Sequence, residues 1–333
     1  MISAGARLAR RLRRRSARGI VLCYHRVAGP RIDPAALDVP PALFDAHMAA
    51  VRAHAVPLAL GEFNRTRSEG RLPERAVAVT FDDGYADNLH TALPILERHG
   101  VPAAVFVTTS GIGAPAEFWW DALERSCYVA HALPPLLDLS AVGHWFRWQL
   151  DASAQSAHTA NQLVDSARRP MYAALSAWLR PLPYAVQCDA LSQLQAWSGT
   201  EADARDSYRT LRVDELQVLA RSPLVEIGSH TVTHPVLGLL DASGRREECA
   251  GSRAALQHWL GAPPDMFAYP FGEGMAANRD AERSAQDAGY SAAFTTDARA
   301  AWQWNRATAI PRFAMQAWSG DEFERRLDLW FDE

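Results

Sequence analysis

Short apolar runs that alternate with helical segments constrain the fold of this chain more than any other feature. The runs end at Tyr24 (IVLCY), Phe81 (AVAVTF), Thr108 (AAVFVT), Ser229 (LVEIGS), Pro270 (FAYP) and Thr296 (AAFTT). Runs of this length, alternating with helices, are typical of a parallel sheet. A length of 333 residues leaves room for one large α/β barrel domain or for two ordinary domains.

The spacing predicts helices over 85–99, 243–260 and 276–288, with Gly261 and Gly289 ending the last two. The first of them must tolerate Pro94.

The βα period is lost between about residues 120 and 222, where Ala, Leu, Trp and His recur with helical spacing in places. This stretch lacks the turn residues and β-branched runs of an independent α/β unit. We therefore interpret it as a helical insertion within a single domain over 19–333.

The first 18 residues form a basic tail with seven arginines and no acidic residue, whereas the remainder, with all 38 Asp and Glu, is acidic. The tail lacks the apolar run of about 7 to 15 residues that a secretory signal needs. We therefore expect a cytoplasmic protein. Two alternatives stay open for the tail. We expect it either to be a solvated basic segment or to contact the anionic inner face of a membrane. Nucleic-acid binding would need a wider basic surface.

The four cysteines, Cys23, Cys127, Cys188 and Cys249, show no CxxC spacing. We expect reduced, buried thiols and no Cys-based zinc site.

Polar residues follow the predicted strands at the point where each strand ends. His25, the pair Asp82 and Asp83, and the pair His230 and His234 each come directly after an apolar run. Arg312 follows the short run TAIP. The carboxyl ends of the strands of a βα barrel meet on one face, where active sites are built. We expect these side chains to share one cleft.

Each of these signals alone has an ordinary interpretation. Asp-Asp-Gly is also a common turn, and His230 and His234, placed on one side of a helical turn, would often be surface or capping residues. Together, two imidazoles and the carboxylate of Asp83 make a three-ligand set typical of catalytic zinc. Asp82 would then be free to act as general base. Other divalent transition metals would also accept this set.

TFDDG at 80–84 and SHTVTHP at 229–235 resemble the first two motifs of the polysaccharide deacetylase family, the NodB-homology carbohydrate esterases of family 4. The resemblance implies a distorted (β/α)7 barrel, with Asp82 as base and with Asp83, His230 and His234 as metal ligands. It covers 21–27 and 75–313 apart from the insertion.

The third motif departs from the common family pattern, because FAYPFGE at 267–273 has Ala268 where an arginine usually stands. The sequence here is similar to the permuted branch that deacetylates poly-β-1,6-linked N-acetylglucosamine. In that branch a histidine near the first strand supplies the acid, which implies His25 in YHR, although a strand-end packing role is the alternative. Arg312 is the candidate for the missing positive charge beside Asp82. The alternative is that Arg312 is an ordinary surface or interface arginine.

The same resemblance implies that the backbone N–H of Phe271 helps to hold the oxyanion, and Tyr269 of this motif is expected to contact substrate. Trp119, Trp120 and Asp121 follow the third strand and would overhang the site. Indole rings stack on sugars, whereas the alternative is one core tryptophan and an Asp121 that caps the following helix.

The expected reaction is hydrolysis of an N-acetyl group on an amino sugar of a surface polysaccharide, or of its nucleotide-linked or lipid-linked precursor. Two alternatives stay open at this point. The same residues could deacylate or deformylate a small non-sugar amide, or the chain could be an inactive relative that binds glycan.

Overall fold

The computed structural model describes residues 18–29, 32–155, 167–272 and 274–332, so the basic tail before Arg18 lies outside the described residues. A parallel sheet curls into a barrel at its centre. The neighbouring parallel strands are β1 (Arg18–Tyr24), β3 (Ala76–Phe81), β4 (Ala103–Val107), β7 (Val225–Ser229), β8 (Met266–Ala268) and β9 (Ala292–Phe294). Arg18 is thus part of the first strand and not of the tail.

A seventh segment closes the barrel between β9 and β1. Ile310 forms a parallel bridge with Phe294, and β11 (Phe313–Ala314) pairs in parallel with Leu22 and Cys23 of β1. The predicted distorted (β/α)7 barrel is confirmed. Short strands β2 (Val56–Pro57) and β10 (Ala301–Trp302) extend the edges of β3 and β1.

The helices around the barrel are α1 (Pro41–His54), α2 (Leu60–Ser68), α3 (Leu93–His99), α8 (Val213–Ala220), α9 (Ala242–Leu260), α10 (Arg279–Asp287) and α11 (Gly320–Asp332). Alternate strand residues face these helices, as the period of 2 requires. Val77, Val79 and Phe81 pack outward on them, whereas Ala76 and Ala78 face inward.

The barrel interior is filled by side chains, as in other small barrels. Phe106 and Phe294 lie 5.5 Å apart between ring centroids. A side chain at Gly228 would collide with Phe106, because a Cβ there would lie 2.4 Å from its ring. Glycine at this position therefore lets the large ring occupy the interior.

The predicted helices are present with shifted beginnings. Gly261 ends α9 in a left-handed conformation, as predicted, and α10 begins at Arg279 after the N-cap Asn278. The predicted helix over 85–99 consists of a π-helical turn at Asn88–Ala92 followed by α3. Pro94 lies in the first turn of α3, where its missing N–H costs little.

The insertion has its own apolar core, built by α4 (Trp119–Glu124), α5 (Ala152–Gln155), α6 (Arg169–Leu179) and α7 (Tyr184–Ser198). A hairpin of β5 (Leu136–Ala141) and β6 (His144–Gln149) packs on these helices. The sequence analysis missed it, although Leu137, Leu139 and Ala141 alternate with exposed residues. All four cysteines are free, as expected, but Cys188 is exposed instead of buried.

Within the described ranges, no helix combines the length and the apolarity needed to cross a bilayer.

His47 of α1 ties the helical layer to the first strand. Its Nδ1 lies 3.1 Å from the hydroxyl of Tyr24, its Nε2 lies 2.9 Å from the carbonyl oxygen of Trp318, and its ring stacks on Phe323 at 4.2 Å. Burial lowers the pKa of His47 to about 4, although the bond to Trp318 opposes this shift. The folded protein therefore holds a neutral imidazole at neutral pH.

We expect this burial to make stability fall with acid. Between pH 7 and 5 the unfolded chain binds a proton at His47 that the folded chain excludes, so the free energy of unfolding should drop by about 2 kcal/mol through this residue. Urea unfolding of the wild type and of His47→Gln at both pH values measures the drop. The exposed-site control His258→Gln should keep the wild-type pH dependence, and the same drop in His47→Gln would contradict the account.

Candidate active site

Asp83, His230 and His234 converge at the carboxyl end of the barrel. Asp83 Oδ1 lies 3.6 Å from His230 Nε2 and 3.4 Å from His234 Nε2, and all three side chains are buried. In the described part of the chain, Oδ1 of Asp83 has no hydrogen-bond partner. Buried polar atoms are normally paired, so an unpaired carboxylate oxygen between two imidazoles fits a bound cation.

The two histidines meet through a turn and not through a helix. The sequence analysis placed them on one side of a helical turn, which is wrong. Residues Thr231 and His234 adopt φ angles of 70° and 61°, and the hydroxyl of Thr231 accepts the amide N–H of His234 at 3.0 Å. These two left-handed residues fold the segment back so that both imidazoles face Asp83.

Glu248 of α9 stabilises this turn through hydrogen bonds. Its carboxylate accepts the amide N–H groups of Val232 and Thr233 at 2.8 and 2.9 Å and the hydroxyl of Thr233 at 2.5 Å. Sequence reasoning missed Glu248, since nothing in the pattern of α9 distinguishes it from other helical glutamates.

His230 is oriented by the backbone, because its Nδ1 lies 2.8 Å from the carbonyl oxygen of Ala268. A carbonyl can only accept, so Nδ1 carries the proton and Nε2 presents a lone pair toward Asp83. Metal-binding histidines are commonly fixed in this way. Ala268 thus contributes its backbone carbonyl to the site.

Burial of the site favours neutral imidazoles and disfavours a lone carboxylate. Burial lowers the pKa of His230 to about 4 and that of His234 well below its usual value. Burial, and then the charges of Asp82 and Asp121, raise the pKa of Asp83 well above its usual value. Neutral histidines are the form that binds metal, and a divalent cation would relieve the cost of the Asp83 charge. The residues present therefore fit a divalent metal.

Asp82 is fixed by Arg312 from the closing segment. The two form a bidentate pair, with Nη1 to Oδ1 and Nη2 to Oδ2 both at 2.7 Å. Arg312 is fully buried, so the surface alternative is wrong. Burial alone would raise the pKa of Asp82, but the charges of Arg312 and then His230 outweigh it and hold that pKa well below its usual range.

His25 lies at the same site. A ring nitrogen of His25, Sγ of Cys23 and a carboxylate oxygen of Asp82 all lie within 4.8 Å of one another. The thiol of Cys23 donates to Asp82 Oδ2 at 3.4 Å. Burial lowers the pKa of His25, while the charge of Asp82 opposes that shift.

Trp120 forms a wall of the site against His234, with ring centroids 4.7 Å apart. Its indole N–H donates to the hydroxyl of Tyr85 at 2.7 Å, and that hydroxyl donates to Asp121 Oδ2 at 2.7 Å. Burial raises the pKa of Asp121 to about 7. Phe271 packs on His234 from another side at 4.8 Å. The ring of His234, whose Nδ1 finds no partner among the described residues, is therefore held by aromatic contacts.

The other expected substrate contacts lie elsewhere. Tyr269 is fully buried and donates to the carbonyl of Thr308 at 2.9 Å, so its side chain belongs to the core and not to the cleft. Trp119 is a core residue of the insertion. Asp121 lies inside α4, whose N-cap residue is Phe118, so Asp121 does not cap that helix.

Phe271 has a φ of 63°, and within the described ranges its amide N–H donates to no protein acceptor. This leaves the donor available, as the expected oxyanion role requires.

Comparison with known proteins agrees with this geometry. The model of the polysaccharide deacetylase family matches residues 69–132 and 196–293. The matched segments contain Asp82, Asp83, His230 and His234 and skip the centre of the insertion. The chain contains a polysaccharide deacetylase domain. His25 and Arg312 lie outside the segments matched to the polysaccharide deacetylase model.

Two curated relatives are similar in sequence to parts of this chain. YxkH of Bacillus subtilis, whose name describes it provisionally as a polysaccharide deacetylase, is 33% identical over 95 residues, which are 28% of this chain and 33% of YxkH. The poly-β-1,6-N-acetyl-D-glucosamine N-deacetylase of Staphylococcus epidermidis is 35% identical over 57 residues, which are 17% of this chain and 20% of that protein. The matches thus span a third or less of these relatives.

A solved structure shows the same fold over almost the whole chain. The deacetylase PplD of Streptococcus pyogenes, solved in complex with acetate, has a TM-score of 0.58 at 18% identity, covering 94% of this chain and 99% of PplD.

The contact of Trp120 with His234 leads to a prediction for Tyr85. In Tyr85→Phe the indole N–H loses its acceptor, so His234 should be held less firmly and the affinity for zinc should fall about tenfold. Competition with a chelator measures the affinity. Tyr290→Phe is the matched control, because its hydroxyl is also buried and donates to the carbonyl oxygen of Cys249. Unchanged affinity in Tyr85→Phe would contradict a positioning role for this contact.

Proposed function

We propose that this protein is a metal-dependent N-deacetylase of amino sugars, acting on a surface polysaccharide or on its nucleotide-linked or lipid-linked precursor. The observation that carries the proposal is the buried set of Asp83, His230 and His234 beside an independently fixed carboxylate, Asp82. The polysaccharide deacetylase domain supports the choice of an acyl amide on a sugar.

Asp83, His230 and His234 would hold a divalent ion, with zinc as the expected metal, whose chemistry is to polarise the acyl carbonyl and to activate water. The other residues act around it. Asp82 is ionised at neutral pH because Arg312 stabilises its charge, so it is ready to accept a proton from the attacking water.

Arg312 also orients the base. Both carboxylate oxygens of Asp82 are bonded to the guanidinium, so the carboxylate plane cannot rotate toward the metal ligands. This separates a ligand, Asp83, from a base, Asp82, although the residues are adjacent in the chain. Proton transfer by a positioned base contributes typically 10² to 10⁴-fold.

His25 and Phe271 complete the proposed reaction. The backbone N–H of Phe271 stabilises the negative charge that develops on the acyl oxygen when water adds to the acyl carbon. His25, near Asp82, takes up the proton that Asp82 accepted from water and passes it to the leaving nitrogen. The amide C–N bond breaks, and acetate and a free amine are released.

The test is acetate release from N-acetylated sugars by the wild type and by Asp82→Asn, with metal content measured on both. We expect Asp82→Asn to keep its metal, since the three ligands remain, and to lose at least about 10²-fold in kcat. His230→Ala should lose metal and activity together, since it removes a ligand.

Because Asp82→Asn leaves the buried Arg312 without its anion, both variants are assayed below the temperature at which they begin to unfold. A near-normal rate in Asp82→Asn would contradict the assignment of the base. Bound metal without acetate release from any sugar, but with release from a small amide, would favour a different amide substrate.

A further inference from the structure

An apolar groove lies beside the site, between the insertion and the barrel. Three segments line it: the end of α6, the segment after His234 and the segment after Phe271. The side chains that matter here are Arg180, Pro181, Val236, Leu239 and Met275. Leu239 and Met275 are 48% and 60% exposed, more than large apolar side chains usually are.

The groove begins at a wall of the catalytic site. Phe271 packs on the ring of His234 at 4.8 Å, and the guanidinium of Arg180 covers the ring of Phe271 at 4.1 Å. Arg180 is therefore separated from His234 by one aromatic ring, within reach of a substrate that extends beyond a single sugar at the proposed metal site.

Arg180 is a cation available to an anion. Its guanidinium lies over the ring of Phe271, and among the described residues no hydrogen bond or ion pair occupies its N–H groups. Arginine presents a planar fork of donors that matches a phosphate.

Beyond Arg180 the lining side chains favour hydrocarbon over sugar. Sugar subsites use aromatic faces and polar side chains. Val236, Leu239 and Met275 provide neither, and Arg180 covers a face of the Phe271 ring. Among the described residues that line the groove, none offers an aromatic ring on which a nucleotide base could stack.

We propose that this groove binds the phosphate and the hydrocarbon chain of a lipid-linked amino sugar, so that the substrate is an N-acetylated sugar joined through a phosphodiester to a lipid. The inference rests on the proposed deacetylase function and specifies its substrate. The phosphodiester takes no part in the reaction, in which only the amide C–N bond is hydrolysed. Binding energy from the groove positions the sugar.

The experiment compares acetate release by the metal-loaded protein from three probes. These are N-acetylglucosamine 1-phosphate, neutral decyl N-acetylglucosaminide, and N-acetylglucosaminyl decyl phosphate, which has both the anion and the chain. We expect kcat/KM to be highest for the decyl phosphate. Arg180→Gln should lower it at least about tenfold more for the two phosphates than for the neutral glycoside, as expected for the loss of one charge-assisted hydrogen bond.

The double variant L239S/M275S should show the opposite selectivity. It should lose about tenfold for the two decyl compounds, through lost apolar contact, and keep the wild-type value for the sugar 1-phosphate. Leu329→Ser, at an exposed leucine of α11, is the control and should change none of the three values.

Equal kcat/KM for the three probes, or losses in the variants that do not follow the phosphate and the chain, would overturn the groove proposal while the deacetylase function stands. A preference for N-acetylglucosamine oligosaccharides over the decyl phosphate would overturn it as well. If the wild type released acetate from no sugar at all, the deacetylase function itself would fail, and the groove proposal with it.

Discussion

The buried ion pair between Arg312 and Asp82 is the interaction on which both the barrel and its site depend. Arg312 belongs to the segment that closes the barrel, and its Nε donates to the carbonyl of Thr295 at 3.0 Å, while Nη1 also donates to Thr80 at 3.1 Å. One side chain thus joins the ends of β9 and β3 across the barrel mouth. Removing one partner of such a pair typically costs about 3 to 5 kcal/mol, so the Asp82 carboxylate and the closure of the fold are stabilised together.

Backbone strain concentrates around the same mouth. Four non-glycine residues here have φ between 61° and 74°: Asp83, Thr231, His234 and Phe271. Residues other than glycine rarely occupy this region. Each such residue costs about 1 to 3 kcal/mol and persists only where the surroundings hold it. Here the surroundings are the barrel, Glu248 and the aromatic rings against His234. A rigid framework therefore stabilises the strained turns that bring the polar groups together.

Much of this site could be predicted from the sequence because parallel topology itself places strand ends on one face. The period of the apolar runs was enough to predict that four strand-end residues share one cleft: Asp82, Asp83, His230 and His234. Alanine at position 268, in place of an arginine, indicated Arg312 as the cation beside Asp82. The roles of these residues remain predictions. The contacts between distant segments could not be read in this way, since no local pattern encodes them. The chain of Trp120, Tyr85 and Asp121 is one example.

Other features of the site could not be predicted, because they depend on backbone conformation or on the packing of the insertion against the barrel. His230 and His234 have the spacing of a helical turn, but the left-handed conformations of Thr231 and His234 decide their geometry. Tyr269 belongs to a motif of the site, yet the alternation of β8 turns its ring into the core. In the hairpin over 136–149, apolar residues of the first strand alternate with exposed ones, which is typical of a strand. This alternation was missed because most of the insertion has the composition of helices. Arg180 reaches the site only because the insertion packs on the barrel.

The most direct test of the central claim is the stoichiometry of zinc binding, measured by elemental analysis after equilibrium dialysis of the wild type and of Asp83→Ala. Asp83 Oδ1 is a buried oxygen between two neutral imidazoles, so its removal should abolish the site without disturbing Arg312 and Asp82. We expect about one equivalent of zinc on the wild type and none on the variant. A wild type that binds no zinc or other divalent transition metal, or a variant that binds it equally well, would contradict the account.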